Sequence, residues 1–451
     1  MLTLPLVSHT APNDIVAWRA DGTVSLARFL AEVAQLAACF PAGAHLLNLC
    51  GDRYRFSVGL AAAIVSGKVS LLPSTRTPGV LRQIRDFAPD VFCLGDSDAT
   101  TIDLPLLRYP EMDAGTPTAC AVPQIGHDQC VAVVFTSGST GAPQPHRKSW
   151  GALVRCVQAE AAQLELLRHA PCTVIGTVPP QHMYGFESTV LMPWLNGNAL
   201  GHARPFYPAD VCQALATVAA PRVLVTSPVH LRALLDAELA LPPTACVVCA
   251  TAPLSVELAR EVEARFNTRL MEIYGSTETG QIATRRTAQS AQWRLFPGVR
   301  FEQVGERVRA CGGHIESSVT LNDVIEPLTD EHFLLHGRLS DMINIAGKRH
   351  SLASLNHLLN TIPGVVDGAF YVPDDADSGA PNLVTRVAAC VVAPKLNAAD
   401  LLAALRYHLD PVFLPRPLLF VPTLPRTSAG KLPREALQAL VRSRSASSAH
   451  D

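Results

Sequence analysis

The chain has 451 residues, 48% of them hydrophobic and 17% charged, with 37 Lys plus Arg set against 39 Asp plus Glu for a formal charge of −2. That length calls for two or three structural units, and the apolar fraction supplies a core and excludes a disordered chain. The charge balance leaves no one-signed face to hold nucleic acid or an anionic membrane.

Apolar runs fall short of the ~20 residues of a membrane span, so no membrane insertion is expected. The opening "MLTLPLVSHTAP" lacks the basic start and apolar centre of a signal peptide. Twelve irregularly spaced cysteines read as reduced thiols of a cytoplasmic protein. In chain order, "LARFLAEVAQLAACF" (26–40) has helical spacing, "AHLLNLC" (44–50) reads as a buried strand, and "FSVGLAAAIVSGK" (56–68) as a helix before the strand-like "VSLLPS". "PRVLVTSP" (221–228) and "TACVVCATAP" (244–253) read as core strands, each followed by a helix, "PVHLRALLDAELA" and "SVELAREVEARFN". Cys246 and Cys249 form a CxxC inside that apolar run, without the second pair a zinc site needs, and read as buried strand thiols. Strands alternating with helices predict an α/β layered fold with parallel pairing.

After about residue 335 the texture changes. A turn, a short strand, a Gly-Lys-Arg loop and a helix opening near Ser351 precede "GAFYVPDD", "LVTRVAACVVAP", the helix "AADLLAALRYHL" (398–409) and a Pro-rich run. This is the size of a separate α+β unit, and "RSRSASSAHD" reads as a frayed tail. The fold class expected is α/β, a large N-terminal domain of layered α/β subdomains with a small mobile α+β C-terminal domain. The bounds are 1–338 for the core, 339–341 for a hinge, 342–440 for the small domain and 441–451 for a disordered tail.

Four stretches carry chemistry. "VVFTSGSTGAPQPHRKSW" (133–150) ends an apolar strand in Thr136, Ser137, Gly138, Ser139, Thr140 and Gly141. Its glycines allow a nest of N–H groups around an anion, although such a loop alone is more often a surface turn. It fits neither the G-x-x-x-x-G-K-[ST] phosphate loop nor the G-x-S-x-G elbow. "MEIYGSTETGQ" (271–281) repeats the Gly-Ser-Thr turn and adds Glu278, a carboxylate suited to Mg²⁺ beside phosphate oxygens. "VPPQHMYGFES" (178–188) carries His182 and Tyr184, and "PRTSAGKLPR" (425–434) carries Lys431. A lysine on a mobile loop is by default solvated charge, yet it can swing onto a developing anion.

TSGSTG at 136–141, H-x-Y-G at 182–185, YGSTETG at 274–280, G-R-L-S-D at 337–341 and P-R-T-S-A-G-K at 425–431 follow one another in an order that resembles the adenylate-forming superfamily. That group holds acyl- and aryl-CoA synthetases, nonribosomal peptide adenylation domains and luciferases. The resemblance implies an AMP-forming acid–thiol ligase using ATP and Mg²⁺. It places Thr136 to Gly141 on the β- and γ-phosphates, Tyr274 against adenine, Thr277 on the α-phosphate and Glu278 on Mg²⁺. "ATAPLS" resembles the family's Gly-Ala-Pro loop, so Ala250, Thr251, Ala252 and Pro253 belong to the nucleotide site, with Gly275 and Ser276. Asp323 and Arg338 take the ribose positions. Lys431 takes the place of the lysine bridging carboxylate and α-phosphate, His182 the gate to the thiol, Ser340 the hinge and Gly347 the thiol-acceptor loop. The acyl pocket implied comprises His182, Tyr184, Phe186, Ser227, Ala250, Thr251, Gly275, Ser276 and Gly280.

Three departures stand out. Gln144 follows Pro143 where the family has lysine, and Arg147 or Lys148 is the expected substitute; Leu-Asn-Asp replaces Thr-Gly-Asp at 321–323; and Ser340 sits where Asp or Lys is usual. The mix of aromatic and small pocket residues favours a flat aromatic acid over a long chain. The short length and C-terminal motifs resemble stand-alone ligases that load aryl acids for bacterial aryl-polyene pigments, which implies hydroxybenzoate as substrate and the phosphopantetheine thiol of an acyl carrier protein, or CoA, as acceptor. The alternatives are a fatty acyl-CoA synthetase and, from another class, a nucleotide-binding regulator without turnover.

Overall fold

The computed structural model describes residues 2–73, 76–97, 102–112, 121–137, 143–166, 171–305, 307–338, 342–345, 348–373, 386–427 and 430–447. Two sheets organise the larger part. The six-stranded sheet runs in the order Pro143–Ser149, Cys130–Ser137, Val69–Leu72, His45–Asn48, Phe92–Gly95, Leu106–Arg108, parallel except at the first pair. An eleven-stranded sheet is parallel through its middle, from Arg269–Ser276 through Cys246–Cys249, Arg222–Thr226, Thr173–Gly176 and Ala199–Gly201 to Ile15–Arg19. Parallel strands are covered on both faces, which is why "CVVC" and "RVLVT" are continuous apolar runs rather than alternating ones. Cys246 and Cys249 are buried thiols there, as expected.

Helices Arg53–Val65 and Trp150–Gln163 touch strands of both sheets. Each opens on a side-chain cap, Asp52 accepting from the Arg55 N–H and Ser149 from the Ala152 N–H, which satisfies one otherwise orphaned donor. Arg53–Val65 is buried on nearly every side, and its small residues Ala61 to Ala63 let the strands approach closely. Trp150, Trp194, Phe29, Phe56 and Phe186 fill the shared core, each worth roughly 1.5–3 kcal/mol of burial.

Beyond 342 a second set of elements has its own core. Met342–Ile345 pairs with Lys348–Ser351, helix Leu352–Thr361 follows, and Asp367–Tyr371, Ala388–Val392 and Leu418–Phe420 form a three-stranded sheet. Leu355, Leu359, Phe370, Val391, Leu401 and Leu405 pack together beneath it. The expected tail is corrected: helix Arg434–Ser447 continues through 441 because Leu437, Leu440 and Val441 cover the other face of that sheet, against Val421 and Leu424. We keep the 1–338 and 342–440 division as our proposal on the strength of these separate cores. The hinge at 339–341, with Ser340, and Gly347 lie outside the described residues.

Candidate active site

The central parallel strands of the large sheet all end on one side. Thr226 and Ser227, Cys249 and Ala250, Tyr274, and the Thr177–Pro180 turn lie at those carboxyl ends, the edge where open α/β sheets form their crevices. Thr251, just past the end of Cys246–Cys249, has φ 83°. That is a rare conformation for a β-branched residue and a mark of strain held at a working loop.

The strongest local geometry is a hairpin. Arg269–Ser276 and Gly280–Arg285 pair antiparallel with Ser276 opposite Gly280, so Thr277, Glu278 and Thr279 form a three-residue turn. Gly280 closes it at φ 70°, as the glycine of such loops does. Ser276 Oγ and Thr279 Oγ1 stand 3.1 Å apart, and the Thr279 N–H donates to Ser276 Oγ at 3.2 Å, which ties the turn to itself. A Cβ on Gly275 would collide with the backbone of Gly280, so only glycine closes this approach. One strand turn earlier, Tyr274 leans on Trp293 and Phe333, with centroids 5.6 and 5.8 Å away, and its hydroxyl donates to Asp323 at 2.7 Å. Asp323 is the register partner of Arg338, which brings the two expected ribose residues onto adjacent strands.

Glu278 crowns the turn with its side chain 38% exposed. Burial pushes its carboxyl up, but its own backbone N–H, the Ser276 hydroxyl and the neighbouring His146 and Lys148 outweigh that and hold it below the usual value. It is therefore ionised near neutrality. Among the described residues no three or more His, Cys, Asp or Glu side chains converge to hold a metal by themselves. A lone carboxylate beside the Ser276 hydroxyl is instead a donor set that suits Mg²⁺ shared with nucleotide oxygens.

The strand Pro143–Ser149 supplies what lies under the turn. His146 Nε2 is 3.0 Å from Thr136 Oγ1 and 3.7 Å from Glu278 Oε1. Lys148 is buried and its ammonium donates to the Glu278 carbonyl at 3.2 Å. Burial lowers its pKa, and Glu187, Cys156, Glu278 and Glu316 restore it only in part. Arg147, between them in the alternation, is exposed. Of the two expected substitutes for the lysine missing at Gln144, Lys148 bonds the turn from below and Arg147 lines the cavity beside it. His146 was not singled out from the sequence; its two-residue spacing from Lys148 on a strand was the available signal.

His182 follows the Pro179–Pro180 turn and begins helix Met183–Phe186, with its N–H donating to the Pro179 carbonyl at 3.2 Å. A Cβ on Gly185 would strike that same carbonyl, which explains the glycine in H-x-Y-G. Burial, and then the charge of Lys431, lower the imidazole pKa to about 4, so the ring is neutral at physiological pH. Lys431 arrives from the C-terminal unit. Gly430, at φ 77°, has its Cβ position 3.1 Å from Val229 and 3.7 Å from Ser227 Oγ. The loop is held by a two-pronged ion pair, Arg426 Nε and Nη2 each 2.7 Å from Asp367, and by Arg426 Nη1 donating to the Gly430 carbonyl at 3.1 Å.

The other expected pocket residues divide. Ala250 lies at the crevice edge, whereas Ser227 spends its hydroxyl on His230 at 2.8 Å. Tyr184 is buried, its hydroxyl donating to the carbonyls of Val248 and Thr226 at 3.0 and 3.3 Å. Phe186 is fully buried in the main core. Gly138, Ser139, Thr140 and Gly141, and the side chains of Ser137 and Arg338, fall outside the described residues. A cavity of about 70 Å³ beside the hairpin is lined by Cys156, Met183, Glu187, Thr279, Gly280 and His314, among others. Of these only Gly280 was anticipated as pocket-lining; the rest come from elements that no single motif spans.

The sequence profile of a family described as AMP-binding enzyme matches residues 59–311. A 4-coumarate–CoA ligase of Rhodobacter capsulatus is 32% identical over a stretch covering 66% of this chain and 74% of its own length. Among solved structures, the o-succinylbenzoate CoA synthetase of Bacillus subtilis in complex with its acyl-adenylate intermediate superposes with a TM-score of 0.82 at 17% identity, covering 98% of this chain and 99% of that one. The same synthetase with ATP and magnesium ion gives 0.79 at 19% identity, over 95% and 97%. These likenesses give the α/β fold, with its large N-terminal and smaller C-terminal parts.

Proposed function

The chain belongs to the AMP-binding enzyme family and is an AMP-forming acid–thiol ligase that uses ATP and Mg²⁺, and on that premise we propose that its acid is a hydroxybenzoate and that the residues converging at the hairpin perform the chemistry. A carboxylate oxygen of the acid attacks the α-phosphorus of ATP, and pyrophosphate leaves. The sulfur of a thiol then attacks the acyl carbon, losing its proton as AMP departs. Lys431 neutralises charge between carboxylate and α-phosphate, Thr277 hydrogen-bonds the α-phosphate, and Glu278 holds Mg²⁺, whose charge offsets the phosphates. Tyr274 and Asp323 receive the adenosine, with Arg338 beside them and Thr136 to Gly141 on the outer phosphates. Neutral His182 closes the thiol path until Lys431 withdraws, by rotation about Ser340 that brings Gly347 to the acceptor.

The observation that supports this reading is the approach of the Lys431 loop, through Gly430, to Val229 and Ser227 at the carboxyl ends of the parallel strands, where the Lys431 charge bears on His182. An aromatic acid is supported by the relative named as a 4-coumarate–CoA ligase. The thiol proposed is the phosphopantetheine arm of an acyl carrier protein, with CoA as the alternative supported by the same relative. Work in the cytoplasm is in keeping with free thiols at every described cysteine and with the lack, among the described residues, of a helix long and apolar enough to cross a membrane. The test is ATP–pyrophosphate exchange with Mg²⁺ across hydroxybenzoates, cinnamates and fatty acids, followed by thioester formation on CoA and on a holo carrier protein. Exchange driven best by a hydroxybenzoate supports the reading. Exchange by a fatty acid alone moves the substrate class, and ATP binding without exchange favours a regulator.

A further inference from the structure

A cluster of buried polar groups beside the hairpin is too costly to serve the core alone. Helix Trp150–Gln163 contributes Cys156 and Glu160, four apart and so on one face. Residues Glu187–Leu191 form a π-helical turn that contributes Glu187 and Ser188, the kind of irregularity that concentrates at working sites. Strand Gly280–Arg285 brings Gln281, and Lys148 and His314 close the set. Some partners are in place: Cys156 Sγ donates to Glu187 Oε1 at 3.2 Å, Gln281 Nε2 to Ser188 Oγ at 2.8 Å, and His314 Nε2 lies 3.0 Å from the Thr279 carbonyl. Others are not. Neither carboxyl oxygen of Glu160 nor the Oε1 of Gln281 has a partner in good hydrogen-bond geometry, although the Ser188 hydroxyl and the Gln281 amide lie near enough to Glu160 to offset part of its burial, in residues 0% and 3% exposed. Such groups cost roughly 1–3 kcal/mol each when left so.

Glu187 stands at the inner edge of this cluster and also lines the cavity. Gly280 is what opens the way to it, since a Cβ there would sit 2.8 Å from Glu187 Oε1, 3.4 Å from Cys156 Sγ and 3.5 Å from His314 Nε2. Met183, the residue after His182, lines the same cavity as Glu187 and Gly280, so a ring entering from the His182 side points its substituent at Glu187. We propose that Glu187, backed by Glu160 and Gln281, is a specificity-determining residue that accepts a hydrogen bond from a hydroxyl on the ring of the acid. This rests on the aryl-acid reading given above and deepens it. A phenolic hydroxyl suits the site better than a ring amine, which is neutral near pH 7, because the hydroxyl is the more acidic and stronger donor to a buried carboxyl group. An unsubstituted ring leaves Glu187 with the Cys156 thiol and its Gln281 neighbour but one hydrogen bond short in a site from which water is excluded, and a pocket rejects an analogue that lacks the matching hydroxyl on that ground.

The experiment is ATP–pyrophosphate exchange by the full chain with benzoate, 3- and 4-hydroxybenzoate and 3- and 4-aminobenzoate, for the parent, Glu187→Gln and Glu187→Met. The parent should prefer one hydroxybenzoate to benzoate by at least ~10²-fold in kcat/KM. In Glu187→Met that ratio should fall below ~10-fold, chiefly through the KM of the hydroxybenzoate; Glu187→Gln, which still accepts a hydrogen bond, should fall between. Equal use of benzoate and hydroxybenzoate by the parent overturns the proposal, as does preference for an aminobenzoate, or a ratio unmoved in both variants with parental Tm. If the Met variant does not fold, the Gln variant alone decides by the same ratio. Exchange by no acid at all removes the activity reading and this inference together, whereas exchange indifferent to the hydroxyl removes only this inference.

Discussion

Replacing Arg426 by alanine separates positioning from chemistry in the C-terminal loop. Its guanidinium makes two 2.7 Å bonds to Asp367 and a third, at 3.1 Å, to the Gly430 carbonyl, with both ion-pair side chains 27% exposed. Partial exposure limits the stability cost to about 1 kcal/mol. The larger effect is geometric, because Gly430 and Lys431 then lose their tie to Asp367 while keeping the bonds within the loop, from the Thr427 N–H to the Lys431 carbonyl and from the Gly430 and Lys431 N–H groups back to Thr427. A misplacement of ~1 Å at a reacting group costs on the order of 10²-fold. Arg426→Ala should therefore slow pyrophosphate release in a single turnover by ~10- to 10²-fold, and Asp367→Asn should behave alike. Arg426→Lys should recover little, since an ammonium cannot reproduce the fork. Thioester formation from preformed acyl-adenylate should stay within about 2-fold, because Lys431 has left the site by then. Normal pyrophosphate release by a folded Arg426→Ala protein would refute the reasoning.

Lys431→Ala should lower adenylate formation by ~10²–10³-fold, and near-normal exchange would remove Lys431 from the proposed chemistry. Lys148→Ala leaves the Glu278 carbonyl without its donor and Glu187 without its nearby cation, so the apparent KM for ATP should rise and stability should fall by ~3 kcal/mol; urea titration and exchange kinetics read the two effects. His182 is held at about 4 in the folded chain against an ordinary 6.5. Between those values the unfolded chain binds a proton that the folded chain refuses, so this residue's contribution to stability is intact above pH 6.5 and falls as the pH drops toward 4. His182→Asn should flatten that part of the stability–pH curve, and an unchanged slope would place the dependence elsewhere.

Much of the fold was legible because it rests on local periodicity. The helices at 26–39, 53–65, 228–236 and 256–266 and the strands at 45–48, 222–226 and 246–249 are each announced by a period of 3.6 or by a short apolar run between turn residues. Gly275 opens the Gly-Ser-Thr turn legible in the sequence, and its close approach to the Gly280 backbone explains why no side chain stands there. The end of the last helix was misread because its polar letters dominate, and the sheet face that its Leu437, Leu440 and Val441 cover is assembled from strands far away in sequence.

The sequence by itself determined the elements, their alternation and the order of the motifs that carry Glu278, His182 and Lys431, since each is written in one contiguous stretch. Only the tertiary structure decided which side chains share a volume. Tyr184 turned its hydroxyl onto two strand carbonyls and Phe186 entered the core, while Lys148, Cys156, Glu187, Gln281 and His314 gathered around Gly280 from four stretches, the nearest two of them 31 residues apart. Burial is a property of the packed whole, and a buried carboxylate looks no different from a solvated one until the elements that exclude water from it have met.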